Sequence, residues 1–215
     1  DDDDARASAA PYEWFAPGAF DLEGKTVVFA PASVADAAGG ALAGYTFSVN
    51  ASGGCLPFVP TSAAEVLELG DDDWDEVSIA DAPFSFYGVA RSAFFVGSNG
   101  YVTFGLGDER WGGDLERENV FGHFALPRIS ALFTDLNPVP EWGGGGAVLY
   151  ERVDDAAAGG GVVHVVTWWG VPEYGGDDWR YADGATYAQI ALRVSDGAIT
   201  IAALASETAA LGGVV

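Results

Sequence analysis

The densest chemistry in this chain lies in Gly70-Asp71-Asp72-Asp73-Trp74-Asp75-Glu76, where five of seven residues are acids. A hard cation such as Ca²⁺ takes roughly six to eight oxygen ligands, several of them carboxylates on one loop. Asp71, Asp72 and Asp73 are therefore candidate metal ligands. Their spacing is not that of a D-x-D-x-D-G loop with a distant Glu, and a solvated turn ahead of a strand is the competing reading. A second candidate is Thr134-Asp135-Leu136-Asn137-Pro138, which follows an apolar run. There Asp135 and Asn137 either lock a turn onto their own backbone, with Pro138 ending strand pairing, or supply a further cation site. The third is the loop carrying Asp177, Asp178 and Asp183 around Trp179 and Tyr181. With Trp111, it has the makings of a ligand loop, because aromatic rings stack on sugar faces while carboxylates accept hydroxyl hydrogen bonds.

Catalytic patterns are absent. The chain has two histidines, His123 and His164. The first sits among loop aromatics and the second alternates with valines, as a sheet-face imidazole would. No G-x-S-x-G elbow, H-E-x-x-H, Walker loop or C-x-x-C occurs. Paired carboxylates of the glycosidase kind are defined by their separation in space rather than in sequence. They keep a carbohydrate-active alternative open.

The elements that must position these residues read as strands. Thr26–Phe29, bounded by Gly24 and Pro31, is a β-branched and aromatic run, and Tyr45–Val49 is a second candidate strand. The alanine-rich stretch Ala32–Ala43 has glycines and no amphipathic stripe, which predicts a loop. Further strands are expected at Glu76–Ile79, Ala93–Gly97, Tyr101–Gly105, Ile129–Phe133, Ala147–Arg152, Val162–Trp168, Thr186–Val194 and Ala198–Ala203. Asn99-Gly100 is expected to supply the positive φ angles of a tight hairpin turn. Ile190, Leu192 and Val194 alternate with Gln189, Ala191 and Arg193, the period-two mark of a half-buried strand, and Asp196-Gly197 turns the chain back into Ile199 and Ile201. The sum is an all-β fold, an antiparallel β-sandwich or flattened barrel with long loops and little helix. The connections Leu106–Leu126 and Pro172–Ala185 are long enough to be functional.

Several of these blocks come in a distinctive order. A Phe86-Tyr87-Gly88 turn and a strand are followed by Ser98-Asn99-Gly100-Tyr101-Val102-Thr103-Phe104-Gly105, then I-x-x-L-F-x-D-L-N-P over Ile129–Pro138 and a GG-x-V-x-Y strand ending at Tyr150. Thr167-Trp168-Trp169-Gly170-Val171-Pro172-Glu173-Tyr174-Gly175 then precedes a strand containing Gln189. In this order the chain resembles the nidogen-type (NIDO) extracellular domain over about residues 67–201. The usual N-T-F-Q segment stands here as Ala185-Thr186-Tyr187-Ala188-Gln189, and no disulfide framework is present. The resemblance implies a non-catalytic domain of adhesion or matrix proteins, at the cell surface or outside the cell, and it brings no catalytic residues.

Composition sets the remaining bounds. Formal net charge is −23, from 32 acidic and 9 basic residues, with Lys25 the one lysine. A phosphate-binding footprint is basic, so nucleic acid is excluded as a partner and anionic membrane surfaces are disfavoured. GC-rich coding or a saline exterior accounts for such acidity as well as cation binding does. No apolar run is long enough to span a bilayer. Cys55 stands alone, so an internal disulfide is impossible; it is expected to be buried or incidental, and otherwise an intermolecular thiol. Asn50-Ala51-Ser52 matches a glycosylation acceptor. Residues 1–11 read as an acidic tail or linker and 12–215 as one β-rich domain, a segment of a larger protein whose other domains would be neighbours. The expected function is an extracellular interaction module, calcium-stabilised, that meets a protein or a glycan. The alternative is a carbohydrate-binding or carbohydrate-active domain using Trp111, Trp142, Trp168, Trp169 and Trp179.

Overall fold

The computed structural model describes residues 14–15, 21–35, 40–51, 55–111, 123–139, 145–155, 160–174, 185–204 and 213–214. The acidic stretch 1–11, Trp142 and the aromatic-acidic group Asp177, Asp178, Trp179, Tyr181 and Asp183 lie outside the described residues. The strands are β1 (Trp14–Phe15), β2 (Lys25–Ala35), β3 (Ala41–Ala51), β4 (Glu65–Leu67), β5 (Trp74–Ser78), β6 (Phe84–Phe86), β7 (Val89–Arg91) and β8 (Ala93–Gly97). They continue with β9 (Tyr101–Thr103), β10 (Arg128–Ser130), β11 (Ala147–Asp154), β12 (Val162–Val171), β13 (Thr186–Arg193), β14 (Ile199–Leu204) and β15 (Gly213–Val214).

The fold is all-β, and every ladder between named strands is antiparallel. A five-stranded sheet, in the order β14-β13-β12-β11-β4, faces a four-stranded sheet, β10-β9-β8-β5. Side chains of both close one core: Phe94, Val96, Val102 and Phe104 from the smaller sheet meet Val148, Val166, Trp168, Ile190, Leu192, Ile199 and Ile201 from the larger. Trp168, fully buried, crosses the layer and donates its indole N–H to the Gly97 carbonyl at 3.1 Å. Beyond β14 the larger layer is continued by the β2–β3 hairpin, joined through a bridge between Glu23 and Ala203 and the Gly24 N–H···O=C Ala203 bond of 3.0 Å. Among the described residues no helix is long and apolar enough to cross a membrane.

The β13–β14 hairpin follows its pattern. Ile190 pairs with Ile201 and Leu192 with Ile199, and the chain reverses at Asp196-Gly197 with Gly197 at φ 73°. Its burial departs from the expected half-buried strand. Gln189 and Ala191 on the opposite face are also buried, because the segment around Phe58 covers them. The Gln189 amide donates to the Phe58 carbonyl and to Thr167, and it accepts from the Phe58 N–H. Val194 lies past the last paired residue and is only half-buried.

Elsewhere the structure corrects the sequence reading. Ala32–Ala35 and Ala41–Ala43 are strand rather than loop, because pairing between neighbouring strands outweighs alanine's weak β preference. Pro31 does not end β2, which carries on through it with Pro31 opposite Tyr45. The strand expected over Ile129–Phe133 stops at Ser130, since the Ala131 and Leu132 N–H groups turn to a single acceptor, the Gly100 carbonyl. Asn99-Gly100 is not a two-residue positive-φ turn. Gly97 pairs with Tyr101 across three residues, and Gly100 alone of them has positive φ, at 83°. Cys55 is exposed rather than buried. Asn50 is exposed on β3, opposite Thr26.

Candidate functional site

Four connections meet at one end of the sandwich: 68–73 ahead of β5, 98–100 between β8 and β9, 131–139 after β10, and 172–174 after β12. Their backbones are stitched together. The Ser98 N–H donates to the Asp73 carbonyl (2.9 Å), Asn137 N–H to the Pro172 carbonyl (3.0 Å) and Tyr174 N–H to the Asp135 carbonyl (2.8 Å). Asp72, at φ 50°, occupies the left-handed region that Asp tolerates better than most side chains.

The two acidic motifs converge here. Asp71, Asp72 and Asp135 each place one carboxylate oxygen within 4.8 Å of the others, and all three residues are partly buried. Among the described residues no basic side chain forms an ion pair with any of them. One Asp71 oxygen is shielded from solvent and has no hydrogen-bond partner. The other two predicted ligands are occupied locally. Asp73 folds its carboxylate onto its own turn, accepting from the Gly70 and Trp74 N–H groups at 2.8 Å each. Asn137 accepts from the Val139 N–H at 2.8 Å, which is the turn lock.

Electrostatics follow from crowding. Burial, then the nearby charges of Asp72, Asp71 and Glu173, push the Asp135 carboxyl up to about 7. Burial, then Asp72, raises Asp71 against the pull of a backbone hydrogen bond. Burial raises Glu173 too, against a hydrogen bond from Thr134 at 3.3 Å. A group of this kind has two ways to relieve itself. It can take up a proton at Asp135, or it can hold a hard cation through oxygens.

The residue that organises this end, Asn99, escaped notice in the sequence because its Asn-Gly step reads as a turn. Its side chain is fully buried. The amide donates to Asp72 at 2.7 Å and to the Arg110 carbonyl at 3.3 Å, and its oxygen accepts from the Leu136 N–H at 2.7 Å. One side chain thus ties both acidic motifs to the root of the 106–126 connection.

Beside it, on the outer face of the smaller sheet, Arg128 is buried between the rings of Tyr101 (4.1 Å) and Phe133 (4.6 Å) and paired with Asp108. The Tyr101 hydroxyl lies 2.7 Å from the Asp108 carbonyl oxygen and 2.9 Å from that of Arg110. Ser130 stands 3.4 Å from His123 Nδ1, superficially a nucleophile and its base. Both are buried, and burial with the Arg128 charge lowers His123 to about 4. That makes a weak base at a long distance, and the His123 ring packs edge-on against Phe124 and Phe133. His164 is likewise structural, bonded to Tyr150 (3.0 Å) and the Ala82 carbonyl (2.8 Å).

Among the described residues the tryptophans do not form a common platform. Trp168 is core, its neighbour Trp169 points to the opposite face against Tyr187, and Trp111 is exposed at the root of the long connection. Comparison with protein-family models, with curated proteins and with solved structures finds no match to this chain.

Proposed function

We propose that this chain is a non-catalytic interaction module of the extracellular adhesion or matrix kind, which meets a protein or glycan surface through its loop end and takes Ca²⁺ at Asp71, Asp72 and Asp135. One observation supports it above the others: the residues of the carboxylate group are tied, one through its side chain and one through its backbone, to the roots of both long connections. Asn99 bridges the Asp72 carboxylate to the Arg110 carbonyl, and the Tyr174 N–H donates to the Asp135 backbone carbonyl. Whatever settles the three carboxylates also settles where those connections leave the scaffold. Variable segments on a rigid β framework are the usual seat of recognition. The resemblance to nidogen-type domains points the same way.

The test is adhesion of the intact chain to immobilised matrix proteins and glycans, with Ca²⁺ or with chelator. Replacing 112–122 or 175–184 by Gly/Ser segments should leave the melting temperature intact and remove adhesion. Reproducible turnover of a glycan, peptide or ester that one acidic substitution abolishes would overturn the reading in favour of an enzyme.

A further inference from the structure

A second feature lies away from the acidic end and shares no residue with it. The larger layer extends past the smaller one. The four-stranded sheet stops at β10, whereas the opposing layer runs on from β14 into the β2–β3 hairpin. No strand of the smaller sheet lies across that overhang. The space beneath it is bounded by the edge strand β10, the segment 123–127 and the β6–β7 turn, leaving a cleft of about 360 Å³. Small-molecule sites occupy roughly 300–1,000 Å³.

Rings make its walls: Phe29 and Tyr45 from the hairpin, Phe86 and Tyr87 from the turn, Phe124 from the covering segment. Tyr87 stands edge-on to Tyr45 (5.0 Å between centroids) and to Phe86 (4.7 Å). Phe47, 62% exposed and paired with Phe29 across the hairpin, carries the apolar surface outward. In a chain of net charge −23, none of the described residues that line the cleft is acidic. Its two basic lining residues are His123, held neutral by burial, and Arg128, whose guanidinium is engaged on the other face of β10.

The β6–β7 turn gives an independent indication. Tyr87 and Gly88 have φ of 48° and 77°, a connection with both central residues in the left-handed region. Asn-Gly is the relaxed choice for such a turn, and a bulky ring at its first position is strained. Strain of this kind persists where the side chain serves a purpose, and here the ring is a wall of the cleft.

We infer that the cleft between the β2–β3 hairpin, the Tyr87-Gly88 turn and the 123–127 segment is a binding site for a small, uncharged, ring-bearing apolar ligand. Bare aromatic walls match a neutral ring system. Among the described residues they offer no unengaged counter-charge to a fatty carboxylate, and no carboxylate lines them to steady an organic cation.

The probe is N-phenyl-1-naphthylamine, neutral and fluorescent in apolar sites, titrated into the intact chain. Saturable binding at one site per chain is expected, displaced by uncharged ring compounds and indifferent to Ca²⁺. Tyr87→Asn keeps a turn-compatible residue and removes the wall, so it should weaken probe binding about tenfold with no loss of melting temperature. Ala125→Trp, placed at an exposed lining position, should block the cleft and is the second variant should the first misfold. Absence of saturable binding overturns the inference, as does affinity unchanged in both variants. Displacement by tetramethylammonium or palmitate, but not by neutral rings, overturns the ligand class.

Discussion

The β13–β14 hairpin and the acidic loop end are built on opposite principles. In the hairpin, Ile190, Leu192, Ile199 and Ile201 are buried against the facing sheet, and each cross-strand partner is close along the chain. At the loop end the interior is polar: a buried asparagine bonded to three distant segments, a shielded Asp71 oxygen without a hydrogen-bond partner, and a carboxyl pushed up to about 7. The first region gains stability from removing apolar surface from water. The second gives some of it up, because crowded carboxylates repel one another in partly buried surroundings. A region that retains such a cost is where a ligand has the most to offer.

The largest expected effect lies in the hairpin. Ile190 has no exposed surface and sits mid-strand, so Ile190→Ala should cost about 2–5 kcal/mol in denaturant unfolding, with unchanged m-value. A cost below about 1 kcal/mol would show that this core collapses around the deletion, and the contrast between the regions would fade.

Next comes Asn99→Ala. It leaves the Leu136 N–H without its acceptor and takes one donor each from Asp72 and from the Arg110 carbonyl, which keeps the Tyr101 hydroxyl, so about 1–3 kcal/mol should be lost. The informative readout is hydrogen exchange. Protection should fall at Leu136 and around Arg110 while the β13–β14 amides keep theirs.

These two residues also mark what the sequence could reveal. The hairpin was legible because its information is local: alternation over Ile190–Leu192, an Asp-Gly turn, then alternation again. Both acidic motifs were visible as well, but as separate candidates. Nothing local says that Asp135 closes on Asp71 and Asp72, or that Asn99 reaches Asp72 across 27 residues and Leu136 across 37. In Asn99 the local signal misled, since the residue pair that favours a tight turn was used here for its buried amide. The short strands β4, β6 and β7 have three residues each, too few for a periodicity to register. The aromatic cleft draws on residues from Phe29 to Ile201, and the Phe86-Tyr87-Gly88 motif named only its turn.

Acidity separates the regions further. Asp135 has its folded carboxyl raised from 3.8 to about 7, so between those values the folded state binds more protons than the unfolded state does. Stability should therefore fall as pH rises from about 4 to 7, and Asp135→Asn should flatten that slope. Millimolar Ca²⁺ should flatten it too, by favouring the ionised cluster, and raise the melting temperature at pH 7 more than Na⁺ at matched ionic strength. Equal effects of the two salts would reduce the cluster to mutual repulsion relieved by screening.

The smallest effect returns to the hairpin, where Asp196 provides the opposite case. Arg193 grips it with two hydrogen bonds, of 2.8 and 2.7 Å, at the mouth of the turn, and that grip lowers the Asp196 carboxyl from its usual value. A depressed carboxyl stabilises the fold above the unfolded value near 3.8 and loses that contribution as pH falls through the folded value. Its window thus lies below the one in which Asp135 acts, and its sign is reversed. Both partners are substantially exposed, so Arg193→Ala should cost no more than about 1 kcal/mol at neutral pH, and the loss should shrink with salt. Melting curves of Arg193→Ala and Asp135→Asn across pH 3 to 8 would place the two aspartates side by side. A slope of the same sign in both would mean that the loop end and the hairpin answer to the net charge of the chain rather than to their own geometry.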